Sequence, residues 1–242
     1  HQGGRLSGAR SRWTGIRLLS LGLRVYRNKP RLPVLLAAMF FMATSPITIW
    51  MLHLGNVDGL VMLGLLVLPI GAPLVLIKPQ VASFALLAKR SSLIFTALWL
   101  LLSFVIWGFW PVTWLKFFTP EWDMEWVQDI ALFPWGLIPA LVMMWFSQGD
   151  EDLLMAAGSL ASPHLFLYHF IVLMPAFARM RYAWMVVSWL GSFLFLLANW
   201  YGDWAWPLGI LMSFFFWFGI YFSMPPEKRP KPGLPDWLPF RF

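Results

Sequence analysis

Residues 91–110 read SSLIFTALWLLLSFVIWGFW, twenty consecutive positions without an ionised side chain, headed by the basic pair Lys89 and Arg90. A hydrocarbon core of ~30 Å needs ~20 apolar residues per helical crossing, so this stretch alone places the chain in a bilayer. Hydrocarbon offers no partner to a backbone N–H or C=O, so a spanning segment must be a helix or part of a closed barrel. This run is continuous, not alternating, and reads as a helix. The rest of the chain repeats the pattern: 60% of its 242 residues are hydrophobic, 12% are charged, and the charges lie between the apolar runs. The expected class is all-α integral membrane, a multi-pass bundle of about six to seven transmembrane or re-entrant helices.

Outward from that run, three regions are distinguished. Residues 1–31 form a basic segment, with eight Lys or Arg and no acidic residue between Arg5 and Arg31. Ile16, Leu19, Leu23 and Tyr26 recur there at helical spacing, with Arg10, Arg17 and Arg24 on another side. This predicts an amphipathic interfacial helix on an anionic cytoplasmic surface, the alternative being a solvated basic tail. Residues 32–222 form the transmembrane domain. Residues 223–242 form a Pro-rich basic tail, predicted to be extended. The first apolar run is too long and too far along to be a signal peptide, and a chain that begins at His1 reads as processed or incomplete.

Within the membrane domain, crossings are expected at about 32–54, 91–110, 130–146, 183–200 and 204–222. A further one starts near Val57 and is broken by Pro69, Gly71 and Pro73 before Lys78, Pro79 and Gln80. Residues 111–130 mix Trp114, Trp122 and Trp126 with Glu121, Asp123, Glu125 and Asp129, the signature of a non-cytoplasmic interfacial segment. Residues 153–178, interrupted at Ser162, Pro163 and His164, read either as a re-entrant pair or as one plain crossing. The re-entrant reading keeps every basic loop on the cytoplasmic side. The acidic run Asp150 to Asp152 is expected to be a solvated helix start.

Composition excludes several functions. With no cysteine there is no disulfide framework or thiolate site. The net charge of +7 sits at the ends of apolar runs, which points to lipid headgroups and topology and not to nucleic acid. No Walker loop, His-Glu-x-x-His or Gly-x-Ser-x-Gly motif is present, and two histidines without a third ligand define no metal site, so neither metal nor cofactor is expected. Chemistry is then expected at the polar residues beside helix breaks: Asn56 and Asp58; Lys78 and Gln80; His164, Tyr168 and His169. An ionisable group near lipid is a functional candidate by default, and Lys78 is the strongest, unless it merely snorkels to the interface. The Trp and Phe stripes read as lipid-facing or packing surface, or as the lining of a polyprenyl or pigment groove.

Taken in order, Ser45-Pro46, then Gly55, Asn56, Asp58 and Leu60, then Lys78-Pro79-Gln80, then Ser162-Pro163-His164 with Tyr168 and His169, resemble the later half of a multi-pass glycosyltransferase family. That family is glycosyltransferase family 87 of the GT-C superfamily, grouped with bacterial mannosyltransferases. The resemblance covers roughly residues 40 to 180. It implies a GT-C-like fold in the bacterial cytoplasmic (inner) membrane and transfer of a mannose-type sugar from a polyprenyl-phosphate donor to a lipid or glycan acceptor. It further implies a substrate site at Asn56, Asp58, Lys78, Gln80, His164, Tyr168 and His169, with Lys78 and His164 as phosphate partners. The family's catalytic aspartate lies in an N-terminal part, whereas here the matched region is preceded by a segment without any carboxylate. The chain therefore reads either as a complete glycosyltransferase or as one that is truncated and inactive alone, and no catalytic residue is assigned. The competing expectation is a non-catalytic subunit of a larger membrane complex, in which the same polar residues are scattered or satisfy one another.

Overall fold

A computed structural model describes residues 3–54, 57–112 and 129–233, with side chains from residue 14 onward. Among the described residues every regular element is helical. Helix α1 (Gly3–Arg27) is followed by α2 (Leu32–Thr44) and α3 (Pro46–Leu54), then α4 (Asp58–Leu66), α5 (Arg90–Trp107), α6 (Leu137–Trp145), α7 (Glu151–Gly158), α8 (Tyr182–Gly191) and α9 (Leu211–Ser223). Among the described residues three continuous helical stretches are long and apolar enough to cross a membrane: Arg90–Trp107, Tyr182–Tyr201 and Asp203–Ser223. The pair α2 and α3 passes the same test only when taken together, as a broken span or a re-entrant loop bent by 56° where Ser45-Pro46 removes a ladder donor. The described residues are thus those of a helical membrane protein.

The remaining apolar runs are cut into short pieces that fold back on themselves. Helix α4 stops at Leu66, and the chain reverses so that Gly64 and Gly71 meet backbone to backbone. A Cβ on Gly71 would lie 2.0 Å from the Gly64 carbonyl oxygen. Only residues without a side chain permit that approach. The broken run after Val57 is consequently a hairpin, and its returning arm ends at Lys78 beside the start of α4.

Residues 150–179 make a second out-and-back path. Asp150 caps α7, its carboxylate accepting the Asp152 and Leu153 N–H groups at 3.1 Å each. A 3-10 segment, Leu167–Arg179, returns the chain until Arg179 pairs with Asp150 and Asp152. The two ends of this segment therefore lie together, as the re-entrant reading requires and a single crossing does not. Its residues are the core of the molecule: Leu153, Met155, Leu160, Phe170, Ile171 and Phe177 are fully enclosed. Hydroxyls join the enclosing helices, with Ser159 meeting Ser213 at 2.7 Å and Trp217 donating to Ser147 at 2.8 Å.

Helix α1 forms as expected and its two faces separate, with the arginine-bearing face turned into the protein and not toward water. Arg17, Ser20, Leu21, Arg24 and Val25 are buried, while Leu19 and Tyr26 are 60% and 70% exposed. The arginines turn inward because buried carboxylates wait there. At the other end, the described part of the tail holds one 3-10 turn, Pro226–Lys228, and Gly233 donates its N–H to the Trp145 carbonyl.

Candidate functional site

Five of the polar residues singled out in the sequence converge: Asp58, Lys78, Gln80, Tyr168 and His169. The Lys78 ammonium donates to both oxygens of Asp58, at 2.9 and 3.1 Å, and lies 4.3 Å from the centre of the Tyr168 ring. The hairpin brings Asp58 and Lys78 together, and the 3-10 segment supplies the ring. Lys78 thus does not snorkel to the surface: its side chain is 14% exposed and that of Asp58 is 1% exposed. Between charges so enclosed, attraction is far stronger than in water, and the ring face adds a cation–π contribution.

His169 stands against Tyr168 edge to face, 4.6 Å between centroids, and its Nδ1 accepts the Phe166 N–H at 3.1 Å. Phe166 stacks on Tyr168 and also meets His169 edge to face, and the Tyr168 ring borders the Trp50, Phe195 and Trp206 cluster. Gln80 completes the ring of neighbours. Its Oε1 is buried and receives no hydrogen bond. Side chains of Asp58, Lys78, Gln80, His169 and Val172 close on one another so tightly that no water-sized void remains among them.

His164 makes its own contact with a carboxylate. Its Nδ1 meets Asp129 Oδ2 at 2.7 Å, and Oδ1 of that carboxylate accepts the N–H groups of Ala131 and Leu165. The charge-assisted contact with Asp129, 35 residues earlier, holds His164. Asn56 lies outside the described residues, as do Trp114, Glu121, Trp122, Asp123, Glu125 and Trp126.

Several partners escaped the sequence reading. Arg17, 2% exposed, passes so close to α4 that its Cγ lies 2.9 Å from where a Gly59 Cβ would stand, and its charge acts on Asp58. Its Nε has no hydrogen-bond partner. On the far side of Gln80, a groove of about 560 Å³ runs between the Leu76–Gln80 stretch and α5, lined by Trp99, Leu100, Ser103, Trp107 and Trp110. Trp99, Ser103 and Trp107 stand four residues apart and share one face of α5. Trp110 is fixed by donating its Nε1–H to Ser103 at 3.0 Å. That spacing was legible in the sequence; its facing Gln80 was not.

A second ionic cluster gathers at the end where the basic loops meet. Arg24 donates to Asp152 at 2.9 Å and to the Val172 carbonyl at 3.2 Å, Arg179 donates to Asp152 at 2.6 Å, and Arg27 and Lys89 share Glu151. Asp152 is therefore buried and doubly paired, not solvated. Burial pushes its carboxyl pKa up, but Arg179 and Arg24 outweigh burial and hold it below the usual carboxylate range. Burial likewise opposes the charge of Arg179, and Asp152 with Asp150 more than offsets it, raising that pKa. This cluster ties α1 to both ends of the 150–179 segment.

Among the described residues no three His, Asp or Glu side chains gather where a metal ion could be held. No known protein family, curated protein or solved structure matches the chain.

Proposed function

We propose that this protein is a GT-C-like membrane glycosyltransferase that binds a polyprenyl-phosphate sugar and transfers a mannose-type sugar to a lipid or glycan acceptor. Its short, doubled-back helices count, in this reading, among about six to seven transmembrane or re-entrant passes of a bacterial inner-membrane protein. The observation that carries the proposal is one juxtaposition: Gln80 borders both the enclosed Lys78–Asp58 pair and the Trp-lined groove of about 560 Å³. A ligand with an anionic head and a long apolar tail matches that pairing of surfaces. The tail lies along Trp99, Trp107 and Trp110, and Lys78 exchanges one carboxylate contact for a phosphate oxygen, with Gln80 turning to hydrogen-bond the head. Asn56 and Tyr168 complete the sugar contacts in this reading.

A second reading is favoured by a different observation. Lys78 is already satisfied by Asp58 and Tyr168, and no void exists for a head group. On that basis the pair is a structural bolt and the protein is a non-catalytic subunit whose aromatic faces meet partner chains. One titration separates the two. Purified protein in lipid nanodiscs is titrated with a polyprenyl phosphate, alongside Lys78→Met, Gln80→Leu and His164→Ala. Loss of a charge-assisted hydrogen bond of about 1.5–3 kcal/mol predicts binding weakened by roughly 10- to 150-fold in Lys78→Met. His164→Ala binds as the parent does. Equal binding by Lys78→Met and the parent, or none by either, rejects the enzyme reading in favour of the subunit.

A further inference from the structure

Helix α1 has its polarity reversed relative to a helix on a soluble protein. At 100° per residue, Arg17 and Arg24 fall at the middle of the buried face, flanked by Ser20, Leu21 and Val25. Gly15, Leu18, Leu19, Gly22, Leu23 and Tyr26 fall on the opposite side, all exposed. Between residues 14 and 26 no charged side chain stands on that outer arc. Its two glycines have no atom within 4 Å of a would-be Cβ, so none of the described residues packs there.

Charged groups inside and apolar groups outside is the arrangement of a helix that meets hydrocarbon and keeps its ionised residues against the protein. Hydropathy cannot find such a helix, because the inward arginines lower its mean. The positions that follow the outer arc are basic and exposed: Arg27, Lys29 and Arg31, with Lys89 beside them at the same end. An apolar edge continued by cations is complementary to one occupant, a leaflet of anionic lipid with its acyl chains against the edge and its headgroups at the cations.

We infer that residues 14–27 of α1 are a membrane-embedded element, seated with Leu18, Leu19, Leu23 and Tyr26 among acyl chains and with anionic headgroups gathered at Lys29 and Arg31. The arginines of the buried face are not headgroup ligands; they anchor the helix to Asp152 and toward Asp58. This inference is independent of the glycosyltransferase reading, because it concerns a face that the groove and the Lys78 pair do not touch.

The sequence has no cysteine, so single labels are placed without background. Leu19→Cys, Leu23→Cys and Tyr26→Cys each carry a fluorophore excited outside the tryptophan band, in equimolar phosphatidylglycerol and phosphatidylcholine vesicles. Bromines are carried on the acyl chains of one lipid or the other. Val105→Cys on α5, 84% exposed on a crossing, is the lipid reference, and Glu227→Cys in the tail is the aqueous one. Quenching at the three α1 sites as strong as at Val105, and stronger with brominated phosphatidylglycerol than with brominated phosphatidylcholine, is the expected result. Quenching no greater than at Glu227 overturns the inference, whether water or a protein covers the face. Equal quenching by the two lipids overturns its anionic part.

Discussion

Asp152→Asn removes the charge on which two arginines converge, and its consequence is worked from the burial of those arginines. The Arg24 side chain is 5% exposed and that of Asp152 is 11% exposed. Arg179 retains Asp150, but Arg24 keeps only the Val172 carbonyl as a hydrogen-bond acceptor, with the Glu151 charge nearby. Breaking a buried pair from one side costs about 3–5 kcal/mol, because the remaining charge cannot regain water. At roughly 2–4 °C per kcal/mol for a chain of this size, the midpoint of thermal unfolding falls by about 6–20 °C. Tryptophan emission during heating of the protein in one detergent reads this directly. The double variant Arg24→Met with Asp152→Asn recovers most of the loss, since no charge is then stranded. A single-site loss under about 1 kcal/mol, the size of an exposed pair, would refute the claim that this cluster is a buried bolt between α1 and the 150–179 segment.

The same carboxyl sets a pH dependence. Its pKa is depressed in the folded protein, so the stability it contributes is complete above its unfolded value of about 4 and is lost as pH falls through the folded value. Asp152→Asn flattens the acid limb of a stability-versus-pH curve, and an unchanged limb counts against the assignment. Gly71→Ala drives a methyl into the Gly64 carbonyl and lowers stability by about 3 kcal/mol, at the top of the usual overpacking range, as read by chemical denaturation in mixed micelles. Gly22→Ala meets open space inside a helix and raises stability by about 0.5–1 kcal/mol in the same assay; a loss there means that something packs on the face described as bare. Ser213→Ala breaks the hydroxyl pair with Ser159 and costs about 1 kcal/mol.

Much of the architecture was legible from residue pattern. The crossings at Arg90–Trp107, Tyr182–Tyr201 and Asp203–Ser223 follow from uninterrupted apolar runs. The breaks at Pro46, Pro69 and Pro163 follow from lost donors, and the separation of arginines from leucines on α1 follows from helical spacing. Those are local consequences of covalent geometry and of a solvent that cannot hydrogen-bond. The pairing of Lys78 with Asp58 was legible only as two polar residues beside two breaks.

What the chain's order could not supply is which break faces which. His164 and His169 are five residues apart, yet one is held by Asp129 and the other stands against Tyr168. The inward turn of Arg17 and Arg24 is of the same kind: periodicity tells that a helix has two faces, and only the position of Asp152 and Asp58 decides which face is buried. The sequence by itself determined that this is a helical membrane protein, because hydrophobic length acts residue by residue. Tertiary structure alone decided where its few charges go, because a buried charge settles by distance to its counter-ion, and that distance is a property of the folded packing.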